Sequence, residues 1–138
     1  MRYFGLGVLV CAAMLVACGD DDSDFATRPD GKELTEGMLT DSRNGQAYKT
    51  VTIGTQTWMA ENLNYETANS YCYKDSVSNC TKYGRLYTWA AAMDSVGTWS
   101  SNGKGCGYDV ACSPTYPVRG VCPEGWHLPD TTEWNTLF

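Results

Sequence analysis

Polar and apolar positions alternate most clearly over residues 46–60, where Thr50 and Thr52 interleave with Val51 and Ile53. That period predicts a strand with one apolar face. Gly54-Thr55-Gln56 reads as the turn into a second strand over residues 57–60, so the segment is expected to form a β-hairpin. Farther along, Leu86, Trp89, Ala90 and Met93 recur at the spacing of an amphipathic helix, with Gly97 as its stop. Near the end, Asp130 and Glu133 resemble a capping box, and Trp134, Leu137 and Phe138 follow on one helix face. Residues 95–125 are rich in Ser, Gly, Asn and Pro and read as loops. Residues 18–40 show little periodicity and few large apolar side chains, which predicts a flexible acidic tether and a folded part that begins near Asp41.

Composition changes this picture in two ways. Hydrophobic residues make up 43% of the 138, with nine Tyr and five Trp, so the chain can collapse around a core. The formal charge of -6 argues against a nucleic-acid partner, which needs basic patches to displace counterions from phosphates. The single histidine, His127, leaves little room for histidine-based metal or triad chemistry. No metal ligands, cofactor or catalytic residues are singled out, and no pair of Asp or Glu has a spacing that marks a hydrolytic site.

The first residues carry an address. Arg2 precedes an apolar or small-residue run of about fourteen, the length of a signal h-region and short of the roughly 20 residues that span a bilayer. The run closes on Leu15-Val16-Ala17-Cys18, which resembles the lipobox of bacterial lipoproteins. This resemblance implies a signal peptide over residues 1–17, lipidation of Cys18, and a membrane partner reached through that lipid. The acidic cluster Asp20-Asp21-Asp22-Ser23-Asp24 is similar to the signal that places some Bacteroidetes-type lipoproteins on the outer face of the outer membrane. An acidic linker with no sorting role fits the same residues. The expected location is the outer membrane or the cell surface.

Export makes disulfides the default for the remaining cysteines, Cys72, Cys80, Cys106, Cys112 and Cys122. Sequence alone leaves their pairing open. Proximity favours Cys72 with Cys80 and Cys106 with Cys112, each pair bracketing a short polar loop. Cys122 is then left over, which calls for an intermolecular bridge, a reactive thiol or a cysteine beyond this chain. The last helix breaks off at Phe138 with its apolar stripe leading, so residues 41–138 read as the front part of a longer domain.

Three blocks carry a family resemblance: DSRNGQAYKTVTIGTQTWMAENLNY at 41–65, YGRLYTWAAAM at 83–93, and CPEGWHLP at 122–129 with Glu133-Trp134. They resemble, in order, the Fibrobacter succinogenes major paralogous domain, whose members are typically exported or lipid-anchored and have no established biochemical role. The Gly-Trp-His-Leu-Pro and Glu-Trp pattern is also similar to formylglycine-generating (sulfatase-modifying) enzymes and to C-type-lectin-like bacterial domains. The fold so implied is α+β and C-type-lectin-like: a twisted antiparallel sheet, two helices and long disulfide-tied loops, incomplete at its C-terminus. The catalytic cysteines of those enzymes lie after this motif, and His127 stands where relatives often have Arg, as a structural donor.

Two functions follow as expectations. One is a non-enzymatic surface module that binds extracellular polysaccharide or a surface protein through aromatic side chains. Trp58, Trp89 and Trp134 are expected in the core, Trp99 is the best candidate for an exposed stacking residue, and Tyr71, Tyr73 and Tyr108 beside the cysteines stay ambiguous. The alternative is an oxidoreductase related to the formylglycine-generating enzymes.

Overall fold

The computed structural model describes residues 34–138. The expected signal segment 1–17, the expected lipidation site Cys18 and the expected tether as far as residue 33 lie outside the described residues. The expected hairpin is present as β2 (Ala47–Ile53) and β3 (Gln56–Met59), with Ile53 paired to Gln56 across the turn. The flexible tether expected as far as residue 40 does not hold at its end, because β1 (Leu34–Thr40) joins the sheet as a third antiparallel strand in the order β1-β2-β3. Its Thr-Glu-Gly-Met core looks unstructured in isolation since four consecutive positions face solvent. Backbone pairing and the two leucines fix it instead: Leu34 lies opposite Ile53, and Leu39 opposite Tyr48.

That register explains why β2 does not have one dry face and one wet one. Residues on alternate positions point to opposite sides of a sheet. Tyr48 and Met59 enter the main core with Leu63, Tyr87, Ala92 and Val121, and Thr50, opposite Met59, is buried on the same face as Tyr48. Val51 and Ile53, with Trp58 opposite Val51, point the other way. There they meet Trp134 and Leu137 of α3 (Thr131–Leu137), and the Trp58 and Trp134 ring centroids stand 5.0 Å apart. The sheet is thus covered on both sides.

The C-terminal helix starts as its sequence predicts. The Asp130 carboxylate accepts from the backbone N–H groups of Thr132 and Glu133, and the Glu133 carboxylate accepts from the Asp130 N–H at 2.9 Å. His127 extends this box, with Nε2 2.7 Å from Glu133 Oε1. Phe138 is 90% exposed and stacks on Trp134.

The helix expected around residues 86–93 is mostly replaced. Leu86–Tyr87 is a short strand, β5, paired antiparallel with β4 (Ser70–Tyr71), and only Trp89–Ala92 is helical, as α2. Thr88 caps α2 by accepting from the Ala91 N–H, and Asp94 at φ 54° ends it after about one turn. Tyr87, Ala92 and Met93 point inward, so Trp89 is turned to solvent rather than to the core. Between β4 and β5 lie a 3-10 turn (Tyr73–Asp75) and α1 (Val77–Tyr83), where the sequence reads as a polar loop. The described chain therefore has three α-helices rather than two. Gly84 ends α1 at φ 76°, and a Cβ there would lie 2.7 Å from the Asn62 Cβ.

Residues 95–125 are loop, as expected. Backbone bonds fasten them to the core: Val121 N–H donates to the Ala92 carbonyl at 2.9 Å and Leu128 N–H to that of Val118 at 2.8 Å. The neighbouring Gly120 has φ 55°, and any side chain there would run into the Ala92 carbonyl.

Leu137 is the buried residue through which α3 meets the sheet. Leu137→Ala is expected to cost about 2–4 kcal/mol in urea unfolding, by loss of apolar burial and the cavity left behind. An unchanged midpoint would mean that α3 adds nothing to the stability of the sheet.

Candidate functional site

The turn from β1 to β2 places an aspartate with no solvent exposure, Asp41, next to Arg43. Arg43 donates to the Asp41 carboxylate from Nε at 2.9 Å and Nη2 at 2.7 Å, and its backbone N–H adds a third bond at 3.0 Å. Its Nη1 reaches the Val121 carbonyl at 2.9 Å, across 78 residues of sequence. The planar guanidinium suits this double duty, since its fork engages a carboxylate while its face stays free to stack. That face lies 3.8 Å from the Tyr65 ring centroid and 5.2 Å from that of Trp99. Burial alone pushes the Asp41 carboxyl up, but the bonds from Arg43 outweigh it and hold the group below its ordinary value.

A second buried aspartate sets the partner loop. Asp94 accepts from the N–H groups of Thr98, Trp99 and Ser100 at 2.8, 2.7 and 3.0 Å. Arg119 Nη1 donates to the Trp99 carbonyl at 3.2 Å, and its Nε to that of Cys122 at 3.3 Å. The indole of Trp99 meets Tyr65 edge-on at 5.5 Å and packs against the main core. Trp99 is therefore half-buried, and it is not the exposed stacking residue that its Ser and Gly neighbours predict. Asp94 turns the loop back on itself and carries the indole inward.

Two buried phenols hold the other side of this knot. Tyr87 Oη donates to the Tyr65 carbonyl at 2.7 Å, and Tyr48 Oη accepts from the Asn64 N–H at 3.0 Å. Burial pushes both hydroxyls above the ordinary tyrosine value. They work as neutral hydrogen-bonding groups that fix residues 63–65. Asp41, Arg43, Asp94 and Arg119 escape sequence reading because their spacing along the chain carries no periodic signal.

The exposed aromatic side chains lie elsewhere. Cys72–Cys80 and Cys106–Cys112 are both disulfides, in the pairing that proximity favours. The first ring carries Tyr73, followed by Lys74 and Asp75 at φ 54° and 52°; the second carries Tyr108, 74% exposed, followed by Asp109 at φ 55°. Left-handed conformations at non-glycine residues are costly and persist where the surroundings enforce them, here inside covalent rings. Tyr71 and Tyr83 flank the first ring and are also exposed. The second ring packs on α2, since a Cβ at Gly107 would lie 3.8 Å from that of Ala90, and Trp89 at the start of α2 is 48% exposed. The tyrosines beside the cysteines, Tyr71, Tyr73 and Tyr108, ambiguous in sequence, all point outward.

Cys122 is in neither bridge and is buried, sharing a cluster with Met93, Cys106, Val118 and Leu128. Among the described residues no three His, Cys, Asp or Glu side chains come together as a metal site, and no helix is long and apolar enough to cross a membrane. Cys18 lies outside the described residues.

Residues 51–138 match the sequence model of the Fibrobacter succinogenes major domain. The chain belongs to this family. The matched span starts within β2 and takes in β3, both disulfide rings and α3, while β1 and the Asp41–Arg43 turn precede it. No curated protein and no solved structure matches the chain. Family membership brings no biochemical role with it, and nothing in the comparisons supports a formylglycine-generating oxidoreductase. Of the five cysteines in the described residues, four are bridged and Cys122 is 5% exposed.

The Asp41–Arg43 pair sets a pH dependence. An aspartate whose folded pKa is lowered adds stability that is complete above its unfolded value of about 3.9 and is lost as pH falls through the folded value. Asp41→Asn is expected to lower unfolding free energy at pH 7 by about 3–5 kcal/mol, because the Arg43 charge stays buried without its counterion. The gap between variant and native protein should shrink below about pH 4 in urea melts. A gap that stays constant down to pH 2 would show that the pair is not the source.

Proposed function

We propose that this family member is a lipid-anchored binding module of the outer membrane or cell surface, which holds extracellular polysaccharide or a surface partner and catalyses no reaction. The single observation that carries the reading is the set of outward aromatic side chains on covalently closed rings: Tyr73 in the first ring, Tyr108 in the second, and Trp89 on the helix beneath it. An aromatic ring offers a large contact face to sugar C–H groups and has few torsions to freeze on binding. Displayed on a clamped loop, it loses still less freedom when ligand arrives.

The α+β unit is read as C-type-lectin-like. The antiparallel strands, the helix opened by Asp130 after Gly-Trp-His-Leu-Pro, and the loops tied by disulfides support that assignment. Anchoring rests on the apolar run that ends at Cys18.

The test is retention of the protein on a panel of soluble and insoluble polysaccharides. Trp89→Ala and Tyr108→Ala are each expected to weaken retention about tenfold with an unchanged melting temperature, as for an exposed contact worth roughly 1.4 kcal/mol. Trp99→Ala should instead lower the melting temperature, because the indole is part of the Arg43 knot. Retention on no polysaccharide at all, or full retention by both rim variants, would sink the reading. For the anchor, Cys18→Ser is expected to move the protein from the membrane pellet to the soluble fraction, and a variant that still pellets would remove the lipid from the account.

A further inference from the structure

The segment between β4 and β5 differs from the rest of this acidic chain. The antiparallel pairs Ser70 with Tyr87 and Tyr71 with Leu86 bring the two ends of the insertion side by side. The Cys72–Cys80 bridge then closes its first part into a ring, with Lys82 and Tyr83 just beyond it. Both of its tyrosines are held by their backbones: Asn79 Nδ2 donates to the Tyr73 carbonyl at 2.8 Å and Asn62 Nδ2 to that of Tyr83 at 2.9 Å. Each ring carries an adjacent lysine, with Lys74 Nζ 5.5 Å from the Tyr73 centroid and Lys82 Nζ 5.0 Å from the Tyr83 centroid.

Charge makes the segment distinct. Within residues 70–87 the basic side chains are Lys74, Lys82 and Arg85 and the acidic one is Asp75, in a chain whose net charge is -6. Arg85 is engaged by Glu66 at 2.8 Å, whereas neither lysine forms an ion pair among the described residues. The ammonium groups rest on tyrosine rings, a weak contact at an exposed site. A carboxylate offers them a charge-assisted hydrogen bond, which is stronger, and its arrival frees ring surface for stacking.

We propose that the Tyr73–Lys74 and Lys82–Tyr83 pairs form a binding surface for an acidic polysaccharide built of uronic acid residues. This rests on the binding role proposed above and names its ligand class. A uronic acid joins, in one residue, a pyranose C–H face and a carboxylate, and each tyrosine–lysine pair joins the complementary face and charge. Duplex nucleic acid is disfavoured, because its charges, about one per 1.7 Å of helix, are denser than one carboxylate per sugar and sit on phosphates apart from any pyranose face.

Three probes separate the contributions: polygalacturonate, its fully methyl-esterified form, which keeps the sugar ring and lacks the charge, and poly-L-glutamate, which keeps the charge and lacks the ring. Affinity electrophoresis of the full chain is expected to show polygalacturonate binding that weakens with salt, and about tenfold weaker binding of the other two. The double variant Lys74→Asn with Lys82→Gln should bind polygalacturonate no better than the methyl ester; Asn is chosen because it tolerates the left-handed backbone at position 74. Tyr73→Ala should weaken both sugar polymers alike. An intact Cys72–Cys80 bridge, read by mass before and after reduction, keeps misfolding of a variant apart from loss of contact.

Methyl ester bound as tightly as the acid would overturn this inference and leave a neutral-glycan module standing. Polyglutamate bound as tightly as polygalacturonate would overturn the role of the pyranose. Binding of no polysaccharide, charged or neutral, would overturn both this inference and the reading beneath it.

Discussion

The arrangement of this domain depends on one buried ion pair. Asp41 and Arg43 sit in the turn between two strands, yet Arg43 bonds the Val121 carbonyl and lies over Tyr65, so one side chain joins the sheet, the segment after β3 and the loop before α3. Buried pairs add little net stability when compared with well-packed apolar side chains, because desolvation consumes most of the attraction. Their effect is on uniqueness: an unsatisfied guanidinium in the core is costly, so alternatives that separate these three segments are disfavoured. Trp99 completes the enclosure, and Asp94 with Arg119 holds Trp99 in place.

This explains how the stretch after α2 keeps a defined path with almost no regular structure. Loops ordinarily run over the surface because their backbone groups need water. Here many of those groups find protein partners: three amides on Asp94, carbonyls on Arg43 and Arg119, and the bond from Val121 to Ala92. The disulfides work on shorter stretches, closing sequence separations of 8 and 6 residues. In the chain-entropy model, rings so short stabilise by under about 3 kcal/mol each. Their larger effect is local, since they confine Tyr73 and Tyr108 on narrow turns.

Local signals were legible and long-range ones were not. The β2–β3 hairpin, the capping box at Asp130 and the two short-range disulfides each rest on residues close in sequence, where turn chemistry or spacing decides the outcome. Strand β1 was hidden because an edge strand with four exposed positions lacks the alternation that marks a half-buried one. The stripe from Leu86 to Met93 misled for the opposite reason. Its spacing fits a helix, but pairing with β4 claims Leu86 and Tyr87, and the core takes Tyr87, Ala92 and Met93 in place of Trp89. At the candidate site, Trp99, the best candidate for exposure in sequence, is half-buried, because Ser and Gly neighbours report loop conformation and say nothing about which way a side chain turns.

The orientation of the aromatic side chains bears on where the proposed recognition would reside. Tryptophan and tyrosine are interchangeable to a hydrophobicity pattern, yet this fold uses them in two opposite ways. Tyr48, Tyr87, Trp58 and Trp99 are set inward, the two tyrosines with their hydroxyls bonded to backbone groups. Tyr73, Tyr83, Trp89 and Tyr108 are set outward, on or beside covalent rings. An outward aromatic side chain gains nothing for the core, and fixing the backbone of its loop in left-handed conformations costs conformational freedom. Once that cost is met in folding, it does not recur when a ligand binds, so even the small contact area of a sugar ring can yield useful affinity. In the binding role proposed above, loops closed by disulfides would present these rings with little conformational freedom left to lose.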